Sequence, residues 1–184
     1  MFDLDNFAAD CRAALAADKG GHRAVREVVA RAASDPGGVL AGLGEPRRGE
    51  IQKLYQAPDL TILNVVWGPR MTIMPHNHRM WAVIGVYTGC EDNIYWRRVD
   101  GGRIEAARAK ALRARDCIAL GKDLIHSVTN PIPRLTGAIH VYGGDFFAAE
   151  RSEWDPETLC EGRYDVAKAI RLFEESNAAL AAAG

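Results

Sequence analysis

The stretch of sequence that decides the fold runs from Pro75 to Gly89 and reads PHNHRMWAVIGVYTG. It opens with His76 and His78, and side chains two residues apart point to the same face of a β-strand. Two imidazoles on one face can reach the same metal ion. The following residues, 81–88, form a nearly continuous apolar run, which is typical of a strand buried on both faces. The stretch therefore predicts a buried strand beside a metal-binding histidine pair.

A second stretch, residues 121–130, reads GKDLIHSVTN and supplies a third histidine, His126. A single histidine inside a β-rich core is more often a structural residue than a metal ligand. A His-x-His pair at the start of one strand, followed by a histidine in a later strand, favours a metal site instead. Three neutral imidazoles suit iron, zinc, copper or nickel. We therefore predict that His76, His78 and His126 bind one divalent metal ion.

Short segments rich in β-branched and aromatic residues surround these two stretches, and turn residues separate them. Such spacing is typical of an antiparallel barrel or jelly roll. Residues 105–115 have a helical composition, but their position between strand-rich regions favours a strand or an extended loop. Helical periodicity is found near the two ends of the chain. We therefore predict one mainly β domain, with a helical region at 1–48, a barrel at 49–150 and a C-terminal helical extension at 151–184.

The composition argues against several classes of protein. Among the 184 residues, 23 Lys and Arg balance 24 Asp and Glu, so there is no global electrostatic case for nucleic-acid binding. No apolar run approaches the roughly 20 residues that cross a bilayer, and the chain opens with acidic residues where a signal peptide would be basic. The four scattered cysteines form no CxxC pair. We expect a cytoplasmic monomer or homodimer that binds neither nucleic acid nor membranes.

The two histidine stretches resemble the two sequence motifs of the cupin superfamily. His76, His78 and the spacing from them to Gly89 match the first motif, and the His-x-x-x-Asn of residues 126–130 matches the end of the second. Ala82 stands where most cupins have a metal-binding glutamate. Three histidines then remain as ligands, and the resemblance implies the cupin double-stranded β-helix, a jelly-roll barrel with helices before and after it.

The three-histidine variant is similar to the thiol dioxygenases, namely cysteine dioxygenase and its bacterial relatives that act on 3-mercaptopropionate. Residues 66–69 and 81–89 are similar to theirs, and the resemblance extends over roughly residues 50–147. It implies that His76, His78 and His126 bind Fe(II), although zinc or nickel could occupy such a site in a crystal.

The same resemblance implies catalytic roles for His140 and Tyr142. They match the His and Tyr of a Ser-His-Tyr relay beside the iron, and residues two apart on a strand share a face. Ala138 stands where the family has the serine of this relay. We therefore expect a relay that lacks one hydroxyl group.

The family holds the carboxylate of its substrate with an arginine. Gln52 and Lys53 lie in the strand that corresponds to that arginine, and Arg70 and Arg97 are further basic candidates. A guanidinium that points inward could hold a carboxylate through two hydrogen bonds. We expect one of these four side chains to bind a small anionic substrate.

The acidic residues that follow the first motif have a simpler interpretation. Glu91 and Asp92 come directly after Gly89 and Cys90, where a turn is plausible. An exposed ion pair with Arg97 or Arg98 is the other ordinary fate of such carboxylates. We therefore do not expect Glu91 or Asp92 to be metal ligands.

The implied reaction is the oxidation of a small thiol, of the cysteine or 3-mercaptopropionate class, by O2 to a sulfinic acid. Two other interpretations stay open. One is a three-histidine oxygenase that acts on a non-thiol chelating substrate, and the other is a metal-binding cupin without catalytic activity. The presence of His140 and Tyr142 beside the metal favours an enzyme.

Overall fold

Three helices precede the first strand in the computed structural model, which describes residues 2–19 and 21–183. Helix α1 spans Leu4–Ala17, α2 spans Arg23–Ser34 and α3 spans Pro36–Leu43. Asp3 caps α1 by accepting a hydrogen bond from the backbone N–H of Asn6, and Asp35 caps α3 in the same way through Gly38. The third helix ends at Leu43, and the first strand begins at Glu50.

Eleven strands and a final helix follow among the described residues. Helix α4 spans Val166–Ala183, and no helix in the described part of the chain is long and apolar enough to cross a membrane. The strands are β1 Glu50–Ala57, β2 Leu60–Trp67, β3 Thr72–Asn77, β4 Ala82–Thr88, β5 Cys90–Arg98, β6 Ile104–Arg113, β7 Cys117–Leu120, β8 Ile125–Thr129, β9 Thr136–Tyr142, β10 Ser152–Trp154 and β11 Glu161–Arg163.

The strands form two antiparallel sheets. The five-stranded sheet has the order β1-β2-β9-β4-β7, and the six-stranded sheet has the order β11-β10-β3-β8-β5-β6. From β3 to β9 the chain passes repeatedly from one sheet to the other, so strands that are distant in sequence become neighbours. This topology is the jelly roll, or double-stranded β-helix, that the sequence predicts.

One difference from the sequence analysis concerns the C-terminal end of the barrel. Strands β10 and β11 lie beyond residue 150, and β10 pairs with β3 through Glu153 and His76. The six-stranded sheet therefore extends into the segment that the sequence assigns to a helical extension, and the helix begins only at Val166. Residues 104–113 form a strand, β6, whose side chains are mostly exposed.

The central strands of the five-stranded sheet, β2, β9 and β4, are buried on both faces, which explains the continuous apolar run in β4. Val83 packs with the N-terminal helices, whereas Ile84 lies in the core between the sheets. Helix α2 comes so close to β4 that a Cβ on Gly85 would lie 2.7 Å from Cγ1 of Val29. The absence of a side chain at Gly85 therefore allows the helix to cover the sheet.

Helix α4 packs at the opposite side of the barrel. The ring of Phe173 stacks on Trp67 of β2 with a centroid distance of 5.7 Å. The side chain of Asn177 accepts a hydrogen bond from the backbone N–H of Gly49 and donates one to its carbonyl oxygen. These contacts attach the last helix to the beginning of the barrel.

Candidate metal centre

The three predicted metal ligands meet inside the barrel. His76 on β3 and His126 on β8 are cross-strand partners, and His78 follows the last residue of β3. The Nε2 atom of His78 lies 3.2 Å from that of His76 and 3.3 Å from that of His126. All three side chains are buried. The structure therefore brings three imidazole nitrogens to one point.

The donor atoms of this group fit a metal ion. The Nδ1 atom of His76 donates to the carbonyl oxygen of Met74, so its Nε2 carries the lone pair. Ring nitrogens that bind one ion at about 2.0–2.1 Å lie about 3.0–3.4 Å apart. The observed separations agree with that range. Ala82 is buried in β4, and the described group of possible metal ligands contains no carboxylate.

Burial keeps the three imidazoles in the form that binds metals. It lowers the pKa of His76 to about 4. It also lowers the pKa of His78 and of His126 well below the ordinary value, and the neighbouring imidazoles act in the same direction. Metal ions bind neutral imidazole. The group is therefore ready to bind a divalent ion at neutral pH.

His140 and Tyr142 face this group from the other sheet. They lie two residues apart on β9, and Nδ1 of His140 is 3.0 Å from the hydroxyl oxygen of Tyr142. The Tyr142 ring packs against the His78 ring at a centroid distance of 5.0 Å. Burial raises the pKa of Tyr142, so its hydroxyl group stays protonated. The structure thus places the predicted relay pair beside the three imidazoles.

Glu91 is not in a turn or a surface ion pair, and that interpretation is wrong. It lies in β5, is completely buried, and accepts hydrogen bonds from Nε1 of Trp67 and Nδ2 of Asn93, both at 2.9 Å. The two arginines considered as its partners bind Glu105 and Glu161 instead. Buried and exposed side chains alternate along β5, but the polar residues Glu91 and Asn93 are inside and Ile94 is outside, so no sequence pattern signals this burial.

The four candidates for the substrate anchor do not line the cavity beside the imidazoles. Ile51 takes the inward position on β1, while Gln52 accepts a hydrogen bond from Asn64. The other three are engaged elsewhere, since Lys53 donates to Gln56, Arg70 to the carbonyl oxygen of Pro131 and Arg97 to Glu105. All three side chains are exposed on the protein surface, outside the cavity.

Arg151 is the cation that does line this cavity, whose volume is about 30 Å³. Its guanidinium lies 4.0 Å from the ring centroid of Phe146 and 4.4 Å from that of Tyr164. Its Nη1 atom is buried and has no hydrogen-bond partner among the described residues. Arg151 lies beyond the part of the sequence that resembles the thiol dioxygenases, so sequence reasoning missed it.

An apolar groove adjoins the cavity beneath helix α4. Its volume is about 310 Å³, and it shares Ile51, Phe146, Arg151 and Tyr164 with the cavity. The guanidinium of Arg151 therefore stands where the groove meets the metal centre. A ligand that enters through the groove passes this cation before it reaches the imidazoles.

No protein-family model matches the chain. Similar solved structures include an RmlC-like cupin family protein with a double-stranded β-helix fold from Methanocaldococcus jannaschii, at 9% identity and a TM-score of 0.46, over 56% of this chain and 86% of that one. An uncharacterised conserved protein with a double-stranded β-helix domain from Klebsiella pneumoniae matches at 17% identity and a TM-score of 0.45, over 59% and 83%.

The DMSP lyase of Ruegeria pomeroyi matches at 16% identity and a TM-score of 0.47, over 60% of this chain and about half of the lyase, 53%. At these values the matches are a likeness in fold alone, so the class of protein rests on the strand topology and the site. The chain has the double-stranded β-helix fold of the cupins, with a three-histidine group of metal-binding geometry inside it.

Proposed function

We propose that the protein is an iron-dependent thiol dioxygenase that oxidises a small acidic thiol to a sulfinic acid. The observation that carries this proposal is the composition of one cavity, which combines three imidazoles, a tyrosine hydroxyl group and a guanidinium. The likeness of the histidine motifs to those of the thiol dioxygenases supports the same reaction. An iron(II) ion would supply the redox chemistry that adds dioxygen to the thiol sulfur.

The protein's contribution at the metal is a set of three neutral ligands. His76, His78 and His126 have their Nε2 atoms directed at one point. Three protein ligands are the pattern of catalytic metal sites, which keep a coordination position for a substrate, whereas structural sites are closed by four. The three-histidine set therefore supports catalysis more than a purely structural ion.

Tyr142 supplies a proton-bearing group beside these ligands. Its buried hydroxyl oxygen is held by Nδ1 of His140 at 3.0 Å, and burial raises the Tyr142 pKa. A neutral hydroxyl group can exchange its hydrogen bond to His140 for one to a reacting ligand, give up its proton there and take it back. The apolar walls of the cavity keep water away from this group.

Arg151 selects for a substrate that carries a negative charge. A carboxylate that entered the cavity would meet the unpartnered Nη1 atom. Burial lowers the pKa of Arg151, which marks the cost of keeping this cation out of water without a partner. A substrate carboxylate would offset that cost, so we infer that the substrate is an acid that carries a thiol.

The substitution Tyr142→Phe should lower turnover by about 10- to 100-fold and leave the metal content unchanged. The hydroxyl group is lost, while the ring that packs on His78 stays. Oxygen uptake and metal analysis on the same sample measure both effects. Tyr87→Phe is the matched control, because the Tyr87 hydroxyl group is also buried but donates to Asn64, outside the cavity. Equal turnover of parent and Tyr142→Phe would contradict the role of Tyr142.

Oxygen uptake by the iron-loaded protein tests the proposed function directly. The protein is reconstituted with Fe(II) without oxygen and then mixed with L-cysteine, 3-mercaptopropionate, non-thiol hydroxy acids or diketones. Uptake with thiols alone, and a product heavier by two oxygen atoms, is the expected result. Uptake with the non-thiol compounds alone would favour the other oxygenase class, and none at all would favour a metal-binding protein without catalysis. Parallel loading with zinc, nickel and manganese tests the choice of metal.

A further inference from the structure

Glu91 is a buried carboxylate that the proposed chemistry does not yet use. Its side chain is 0% exposed, and it lies between Trp67, Asn93 and His140. Burial would raise the pKa of Glu91, but the neighbouring His140 and the hydrogen bonds from Asn93 and Trp67 lower the pKa below its ordinary value. The group is therefore a buried carboxylate that two hydrogen-bond donors and a neighbouring imidazole stabilise, as burial of a charge requires.

The Oε1 atom of Glu91 is linked by hydrogen bonds through Asn93 to His126, one of the three proposed metal ligands. An ionised carboxylate can only accept, so the Nδ2 atom of Asn93 must be the donor in the 2.9 Å bond to Oε1. The Oδ1 atom of Asn93 then lies 2.8 Å from Nδ1 of His126 and accepts a hydrogen bond from its N–H group. The lone pair of His126 is thereby left on Nε2, the atom that faces the other two imidazoles.

The other oxygen of Glu91 faces the relay histidine. Oε2 lies 3.8 Å from Nε2 of His140, which is too long for a hydrogen bond but places a negative charge beside this nitrogen. Nε2 of His140 is buried and has no hydrogen-bond partner among the residues described here. The charge favours a proton on Nε2, which leaves Nδ1 free to accept from the Tyr142 hydroxyl group.

Residue 138, which lies on the same strand as His140, supplies no hydrogen-bond partner for the imidazole. Ala138 lies two residues before His140 on the same face of β9 and is completely buried. A serine at that position would place a hydroxyl group on this face, but the methyl group of alanine has no polar atom. The carboxylate that faces the His140 imidazole is that of Glu91, which lies on β5.

We propose that Glu91 is a positioning residue that sets the proton positions of two histidines at once, His126 through Asn93 and His140 directly. In the relay it takes the place of the missing hydroxyl group at residue 138. The proposal deepens the proposed function, on which its catalytic consequence rests. Its effect on the two imidazoles holds whatever the substrate is. Partners that orient metal-binding histidines in this way typically change metal affinity or activity by about 10- to 100-fold when removed.

Nitrogen NMR of the histidine rings tests the inference without any turnover. The full-length protein is labelled with 15N-histidine and loaded with zinc, which is diamagnetic, and two-bond correlations report which ring nitrogen carries the proton. The parent should show His126 protonated on Nδ1 and His140 on Nε2. In Glu91→Gln the proton of His140 should leave Nε2 in part or completely, because an amide nitrogen can donate to that atom. Asp92→Asn makes the same chemical change on the neighbouring residue and should change neither histidine.

The kinetic readout separates positioning from a structural role. Glu91→Gln should lower kcat by about 10- to 100-fold with little change in KM, whereas a merely structural role would lower the unfolding temperature and leave the His140 proton on Nε2. An unchanged His140 tautomer in a folded Glu91→Gln protein would overturn the proposal. If Glu91→Gln does not fold, Asn93→Ala replaces it and is measured without metal, because zinc bound to Nε2 would by itself keep the His126 proton on Nδ1. A His126 proton that stays on Nδ1 alone in the metal-free Asn93→Ala protein would overturn the proposal instead.

The two proposals fail in different ways. A parent protein that oxidises no thiol but shows the tautomer change in Glu91→Gln would contradict the proposed function and support the role of Glu91. Thiol oxidation by the parent together with an unchanged tautomer would do the reverse.

Discussion

Replacement of His126 by alanine should remove most of the bound metal and lower activity by more than about 100-fold. Loss of a residue that only orients a ligand already costs about 10- to 100-fold, so loss of a ligand should cost more. The remaining pair, His76 and His78, has no third donor within the described group of possible ligands. Metal analysis after dialysis, together with oxygen uptake, measures both effects.

Two histidine variants serve as controls for this result. His140→Ala should keep its metal, because the Nε2 atom of His140 faces Glu91 and not the three-histidine group. His22→Ala changes a histidine at the start of α2, outside the barrel, and should keep both metal and activity. Full metal occupancy in His126→Ala would show that the ligand set is wrong, and metal loss in His140→Ala would point to His140 as the third ligand.

Replacement of Arg151 by methionine should raise the KM for 3-mercaptopropionate by about 100- to 1000-fold. Removal of one partner of a buried, hydrogen-bonded charge pair costs about 2–5 kcal/mol, a factor of about 30 to 5000, and the expected rise lies in the middle of that range. Methionine keeps a long side chain between Phe146 and Tyr164, and its sulfur packs well on aromatic rings. The wall of the cavity should therefore keep its packing in the variant. Steady-state oxygen uptake across substrate concentrations measures the change.

A thiol without a carboxylate distinguishes loss of the charge from loss of the cavity. The KM for 2-mercaptoethanol should be the same in the parent and in Arg151→Met. Lys53→Met, Arg70→Met and Arg97→Met remove the cations that sequence reasoning preferred, and they should leave the KM for 3-mercaptopropionate unchanged. A larger rise in KM in any of these three than in Arg151→Met would contradict the role of Arg151.

Local patterns carry most of the information that the sequence holds about the fold. The apolar run of β4 predicts a strand buried on both faces, and the structure places it between the helices and the barrel core. Two short strands, β10 and β11, were not predicted, because each has only three residues and β11 is fully exposed. Strand β10 exists through its pairing with the distant strand β3, and β11 through its pairing with β10, so their own composition gives no sign of them.

The same difference between local patterns and long-range contacts explains which residues of the site can be predicted from the sequence. His76 and His78 can be recognised because their spacing alone places them on one face. The environment of Glu91 depends on Trp67 and His140, which lie in other strands of the barrel and are brought to it only by folding. Arg151 reaches the cavity from the segment that follows β9, and an arginine is exposed in most proteins. Contacts between distant strands therefore decide what local patterns leave open.

The stacking of Phe173 on Trp67 has a consequence for the order in which the site is completed during synthesis. The ribosome makes the three metal-binding histidines long before it makes helix α4, the last element of the chain. Trp67 donates to Glu91, and Phe173 covers one face of its ring. A nascent chain can therefore present the metal ligands while the wall behind the relay is still open. The packing of helix α4 on the barrel is the event that closes this wall.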